Sequence, residues 1–173
     1  LIANSTKELA QMLLNHKELG IKYLYRGKIS DWLKESDPKT QTLIDDIVED
    51  QFKDDKNAGL QAAVYLLDKD FPYYDINGKA CADHVEISYA LEKNRNEYHR
   101  RLQNKSDNFY IYRRSQNNAK FAEYCYNVIS DSKTPAELAI LKIVYSINPG
   151  FPFPLGQGNE KQLIQSPKEL VPY

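Results

Sequence analysis

Apolar side chains recur along the first third of the chain at helical spacing. Leu9, Met12, Leu13 and His16 follow one another at helical spacing, the stripe of an amphipathic helix. Ser5 and Glu8 ahead of them form a capping box, Ser5 accepting from the backbone N–H three residues on and Glu8 reaching back. Gly20 or Gly27 is expected to interrupt this helix, and Ile29, Trp32 and Leu33 give a second, shorter stripe. Asp37-Pro38 predicts a helix start, with Asp as N-cap and Pro at the first helical position. Leu43, Ile44, Ile47 and Val48 mark the apolar face that follows. Asn57 is expected to cap a further helix carrying Leu60, Val64 and Leu67. Phe71-Pro72-Tyr73-Tyr74 must be extended, because Pro72 disfavours helix at Phe71. Asn77-Gly78 is a turn.

The second half reads alike. Val85 to Leu102 is predicted helical, with Ile87, Leu91, Tyr98 and Leu102 inside. Phe109, Tyr110 and Ile111 form a short stripe, and Phe121, Tyr124, Cys125 and Val128 a further face. Thr134-Pro135, with Glu137 in the first turn, starts the last helix. An extended Phe151-Pro152-Phe153-Pro154 segment follows. No long strand pattern occurs, so the expected class is mainly α, with short extended Phe-Pro connectors able to pair as a small β element.

The resemblance between halves is systematic. At a shift of 80, Val64/Val144, Tyr65/Tyr145, Phe71/Phe151 and Pro72/Pro152 are identical. At a shift of 78, Glu8/Glu86, Leu13/Leu91 and Leu24/Leu102 are identical, while Lys17/Arg95, Lys22/Arg100, Trp32/Tyr110 and Leu33/Ile111 are similar. The expectation is two tandem helical repeat units of about 80 residues, 1–81 and 82–165. Residues 166–173 open a third or form a tail, since Ser166-Pro-Lys-Glu-Leu170 echoes Ser5-Thr-Lys-Glu-Leu9. Trp32, Phe71, Pro72, Tyr110, Phe151 and Pro152 are expected to carry the unit's packing. Repeats of this kind stack neighbours around a continuous core and commonly serve as scaffolds.

Composition narrows the classes. The chain has 173 residues, 42% of them hydrophobic, so a core is expected. A net charge of −1 gives no global field toward nucleic acid or an anionic membrane. No apolar run approaches a membrane span; the best, Leu138 to Ile147, is broken by Lys142. The first residues carry charges throughout and do not read as a signal peptide. Two cysteines, Cys81 and Cys125, make no disulfide framework, and a cytoplasmic setting is expected. A chain opening on Leu1 is expected to be a region of a longer protein.

Candidate chemistry is sparse. Asp75, Asn77, Asp83 and Glu86 occupy EF-hand-like positions, but Lys79 and Ala80 stand where a ligand and a glycine belong. A turn followed by a helix cap explains them. Cys81, His84, His99 and Cys125 could supply zinc ligands, but only the first pair has ligand spacing. No nucleophile elbow, phosphate loop or zincin motif is present, so no catalytic residue, metal or cofactor is expected. The basic stretch Lys93–Lys120 carries eight Lys/Arg against Glu97 and Asp107, with Tyr98, Phe109, Tyr110 and Tyr112 interleaved. Arg95, Arg100, Arg101, Arg113 and Arg114 are its candidate binding residues. The expected function is a non-catalytic protein–protein interaction or spacer module. The alternative is single-stranded nucleic-acid binding along the basic stretch, arginines on phosphates and tyrosines under bases.

Overall fold

A computed structural model of the chain describes residues 3–155 and 162–164. It is mainly helical, at 66%. In chain order the helices are α1 (Thr6–Asn15), α2 (Lys17–Leu24), α3 (Lys28–Leu33), α4 (Pro38–Asp46), α5 (Lys56–Leu67), α6 (His84–Lys93), α7 (Arg95–Arg101), α8 (Asn108–Ser115), α9 (Ala119–Ser130) and α10 (Ala136–Ile147). A π-helical turn, Ile47–Gln51, continues α4 and closes with a bond from Phe52 N–H to the Ile47 carbonyl at 3.0 Å. Strands β1 (Tyr73–Tyr74) and β2 (Ala80–Cys81) pair antiparallel, Tyr73 opposite Cys81. Strands β3 (Phe153–Leu155) and β4 (Gln162–Ile164) pair in the same sense, Phe153 opposite Ile164. The expected Ser166–Leu170 echo lies outside the described residues.

Local chemistry sets the helix starts. Ser5 accepts from Glu8 N–H at 3.2 Å, while the Glu8 carboxylate reaches back to Asn4 N–H at 2.8 Å. Asp37 accepts from Thr40 N–H at 3.1 Å with Pro38 behind it. The α5 cap is Asp55, accepting from Ala58 N–H at 3.0 Å, two residues before the expected Asn57. A carboxylate at 55 satisfies an orphan donor of the first turn, which leaves Asn57 inside the helix.

The helix predicted from Val85 to Leu102 is two helices broken at Asn94 (φ −123°, ψ 37°). The first helix of the chain breaks likewise at His16 (φ −128°, ψ 58°), neither expected glycine being the breaking point. Gly27, at φ 73°, instead ends the α2 turn and opens α3, in a left-handed conformation that favours glycine.

The chain forms two compact bodies, dividing after Pro72, Gln103 and Tyr126. The first takes the chain up to Pro72 and Asn104–Tyr126; the second takes Tyr73–Gln103 and the chain from Asn127. In the first, α1, α2, α4 and α8 pack on α5. Its core holds Leu9, Leu13, Leu24, Leu33, Ile44, Leu60, Val64, Tyr65 and Phe71. In the second, α6 and α7 pack on α10, burying Ile87, Leu91, Tyr98, Ile140, Ile143 and Val144. There the buried Tyr98 hydroxyl accepts from Ile76 N–H and from the Tyr73 hydroxyl, each at 3.3 Å, which ties the β1–β2 hairpin to α7.

Each body closes its long helix in the same way. After α5, Asp68 N–H bonds the Val64 carbonyl at 3.0 Å and Phe71 N–H bonds the Asp68 carbonyl at 3.2 Å. Phe71 then lies edge-on to Tyr65, with centroids 6.2 Å apart at 70°. After α10, Asn148 N–H bonds the Val144 carbonyl at 2.8 Å and Phe151 N–H bonds the Asn148 carbonyl at 3.0 Å. Phe151 lies edge-on to Tyr145 at 6.1 Å and 82°. Edge-to-face pairs of this geometry add about 0.5–1.5 kcal/mol beyond their buried area. Tyr110, Phe71, Phe151 and Pro152 are buried, and Pro72 is half-buried. Trp32 is 41% exposed, because Ile29 and Leu33 take the core-facing side of the short α3.

A Cβ on Gly59 in α5 would come within 2.1 Å of the Tyr25 hydroxyl, which donates to the Phe52 carbonyl at 2.6 Å. Gly59→Ala is therefore expected to cost about 1–3 kcal/mol by overpacking, outweighing the ~1 kcal/mol alanine normally gains inside a helix. In a Tyr25→Phe background the same change should cost less. Urea unfolding of the four proteins measures the coupling, and equal costs in both backgrounds would refute the clash.

Candidate functional site

The basic stretch folds as α7, the loop after it, α8 and the start of α9. Its cations meet different fates. Arg95 opens α7 with its side chain mostly covered; it lies 3.7 Å from the buried Glu92 and 3.5 Å from Glu137. Arg100 reaches Glu97 one turn earlier, at 2.6 Å through a terminal nitrogen and 3.1 Å through Nε. This ion pair holds the Glu97 carboxyl below the usual range. Arg101 is half-buried in the last turn of α7.

In the first body, Arg113 lies over two rings, 4.7 Å from the Phe121 centroid and 5.9 Å from Phe109. Its Nε is buried with no hydrogen-bond partner, and burial lowers its pKa below the usual guanidinium value. Lys105 behaves similarly, 4.1 Å over the Tyr126 ring and 3.7 Å from Glu123. Arg114 lines a cleft. That cleft, about 410 Å³, has walls of Leu43, Ile47, Phe52, Leu66 and Ile111, with Lys69 also at its edge.

The interleaved aromatics are mostly core. Tyr98, Phe109 and Tyr110 are fully covered, and burial raises the Tyr110 hydroxyl far above its ordinary value. Tyr112 packs edge-on against Tyr65, centroids 5.4 Å apart. Stacking a base on these rings would require unpacking them. Sequence reasoning placed the aromatic–cation surface on this stretch and missed a groove in the first body. There Tyr23 and the exposed Trp32 line about 420 Å³ with Lys22, Arg26 and Lys28. The signal was available only as a lone tryptophan among lysines, which periodicity assigns to packing.

The EF-hand-like residues are engaged by the backbone. Asp75 accepts from Asn77 and Lys79 N–H groups at 2.8 Å each, shaping the hairpin turn. Asp83 caps α6 through Val85 and Glu86 N–H groups, and Glu86 accepts from Ala82 N–H at 2.7 Å. Of the four residues weighed for zinc, Cys125 belongs to the first body and Cys81, His84 and His99 to the second. Among the described residues no group of three His, Cys, Asp or Glu side chains is placed to hold a metal ion. Both thiols are buried. Burial raises the Cys81 pKa, helped by Asp75 and Glu86, and pushes Cys125 up to about 12. Nucleophilic cysteines need the opposite shift.

No known family model matches the chain, and neither a curated protein nor a solved structure is significantly similar to it. No helix among the described residues is long and apolar enough to cross a membrane.

Two outcomes are expected. Arg113→Ala should destabilise by about 1–2 kcal/mol through lost ring packing, whereas Arg100→Ala should leave the urea midpoint unchanged; equal effects would mean that the ring contacts contribute nothing. The folded Cys125 pKa lies above the unfolded one, so the unfolded chain loses that proton first. Its contribution to stability is therefore full below about pH 9 and lost as pH rises toward about 12. Cys125→Ala should flatten that decline in a pH series of unfolding curves, and an unaltered slope would show that the thiol does not titrate as described.

Proposed function

We propose that this chain is a non-catalytic helical module, built from two copies of one five-helix-and-hairpin unit, that works as a protein–protein interaction or spacer element. The observation carrying the reading is the Tyr–Phe closure after α5 and α10. It uses residues a constant distance apart, the same backbone bonds and the same edge-to-face geometry. Further support comes from element order. α1 to α5 followed by the β1–β2 hairpin is matched by α6 to α10 followed by β3–β4, with equivalent breaks at His16 and Asn94. On this reading the division into bodies follows packing and the copies follow sequence, so α8 of the second copy rests on α5 of the first.

A duplicated frame supplies surfaces, and function then lies in what those surfaces meet. The buried thiols, the backbone-bound acids and the ring-packed or ion-paired arginines favour a binding role over a reaction. They also weigh against a strand of nucleic acid along residues 93–120.

The test is a titration of labelled single-stranded DNA and RNA into the protein at low salt. No anisotropy change is expected, and a capture from source lysate should retain discrete proteins after nuclease and moderate salt. Oligonucleotide binding that weakens steeply with salt and is lost in Arg113→Ala/Arg114→Ala would overturn the reading in favour of nucleic acid.

A further inference from the structure

The cleft beside Arg114 is built on two segments that run side by side in one direction. Tyr65 of α5 packs on Tyr112 of α8, and four residues further along each segment the Lys69 carbonyl accepts from Gln116 Nε2 at 3.0 Å. Leu66 and Ile111 line about 410 Å³ of open space from these two helices. Leu43, Ile47 and Phe52 line it from α4, the π-helical turn and the residue that closes that turn. Leu43 is 49% exposed, the most of any large hydrophobic side chain among the described residues. Ile47 and Gln51, which both line the cleft, belong to the π-helical turn, a departure from regular helix that is frequent at functional sites.

One end of this cleft is cationic. Lys69 follows α5 by two residues and Arg114 stands in the last turn of α8, so the bond between residues 69 and 116 sets both at the end where the two helices stop. Both residues are exposed and line the cleft, whose lining among the described residues includes no acid. Glu49 and Asp50 of the π-helical turn are exposed and lie outside that lining. Two helix C-termini meet at the cationic end, each equivalent to about half a negative charge. Two cations against two such dipoles leave roughly one positive charge uncompensated. A ligand that matches carries one negative charge and an apolar body. A doubly charged phosphate exceeds the charge on offer, and an uncharged chain leaves the cations unused. The volume falls within the roughly 300–1,000 Å³ of small-molecule sites, which are likewise mostly apolar with a few placed polar groups.

We propose that this cleft binds a small-molecule carboxylate with an apolar chain, the carboxylate between Lys69 and Arg114 and the chain along Leu66 and Ile111 toward Ile47 and Phe52. Covering the chain supplies affinity, and charge-assisted hydrogen bonds at the cationic end fix its direction. The site goes beyond the interaction-module reading, since every residue it uses belongs to the first body and it needs no partner chain.

Calorimetric titration of the full chain with decanoate and with decanol, both below their aggregation limits and near neutral pH, tests this. One decanoate per chain is expected, bound about tenfold or more tightly than decanol, as hydrogen bonds to charged groups predict. Lys69→Glu and Arg114→Glu should each weaken decanoate by about the same factor and leave decanol unchanged. Leu43→Ser should weaken both ligands, because the apolar lip is common to them. Lys22→Glu, a charge reversal outside this cleft, should change neither. All four substitutions are at exposed positions, and an unaltered circular dichroism spectrum shows that each variant is folded. Absence of decanoate binding overturns the proposal, as does equal affinity for decanol or indifference to both reversals at the cleft. An equal loss in Lys22→Glu overturns it in favour of diffuse attraction to surface cations. A short peptide ending in an apolar residue with a free carboxylate, if it binds more tightly than decanoate, overturns it in favour of a partner's chain end. The oligonucleotide titration tests the module reading separately.

Discussion

Helix α5 is enclosed by α1, α2, α4 and α8, and a helix can be surrounded only if its side chains leave room for four neighbours. Residues 56–67 meet that demand with Ala58, Gly59, Ala62 and Ala63 interspersed among Leu60, Val64, Tyr65 and Leu67. The small residues allow close approach, and the large ones fill the spaces between neighbours. Gly59 is the tightest point, with the Tyr25 ring over its Cα and the Tyr25 hydroxyl bonded to Phe52. Bulk at that point would push α2 away from α5 and open the core that Leu13, Leu24 and Leu60 share.

Among the described residues the second body meets an easier demand, because α10 packs chiefly on α6 and α7. Its sequence is correspondingly bulkier, with Ile140, Ile143 and Val144 buried and Leu138 left exposed. Lys142 and Ser146 stand where α5 has Ala62 and Leu66. Two helices of equal length, α5 and α10, thus carry different side-chain volumes according to how many helices pack on them.

Three capping interactions were legible from sequence because they are local, whereas the α5 cap, expected at Asn57, is Asp55. Ser5, Asp37 and Asp83 each satisfy an N–H two or three residues away, and no distant residue decides whether they do so. The mainly helical class was legible for the same reason, through apolar spacing. The breaks at His16 and Asn94 were not, since neither residue is a glycine or proline and the apolar spacing runs through both. Burial was harder still. Trp32 and Tyr110 look interchangeable as aromatic members of a short stripe, yet one is exposed and the other covered, because exposure depends on which helix packs nearby. Arg113 shows the limit most clearly. Nothing in Tyr112-Arg113-Arg114 distinguishes a guanidinium that will lie between two phenylalanines from its neighbour at a cleft edge.

The π-helical turn at Ile47–Gln51 has a consequence for how such a chain changes length. The turn lies between α4 and the loop that leads to the Asp55 cap of α5. A backbone bond spanning five residues instead of four stores one extra residue as a bulge and leaves the helices on either side in place. A residue added or removed within Ile47–Gln51 would alter only that bulge, so this turn is where the segment between α4 and α5 can change length without moving either helix.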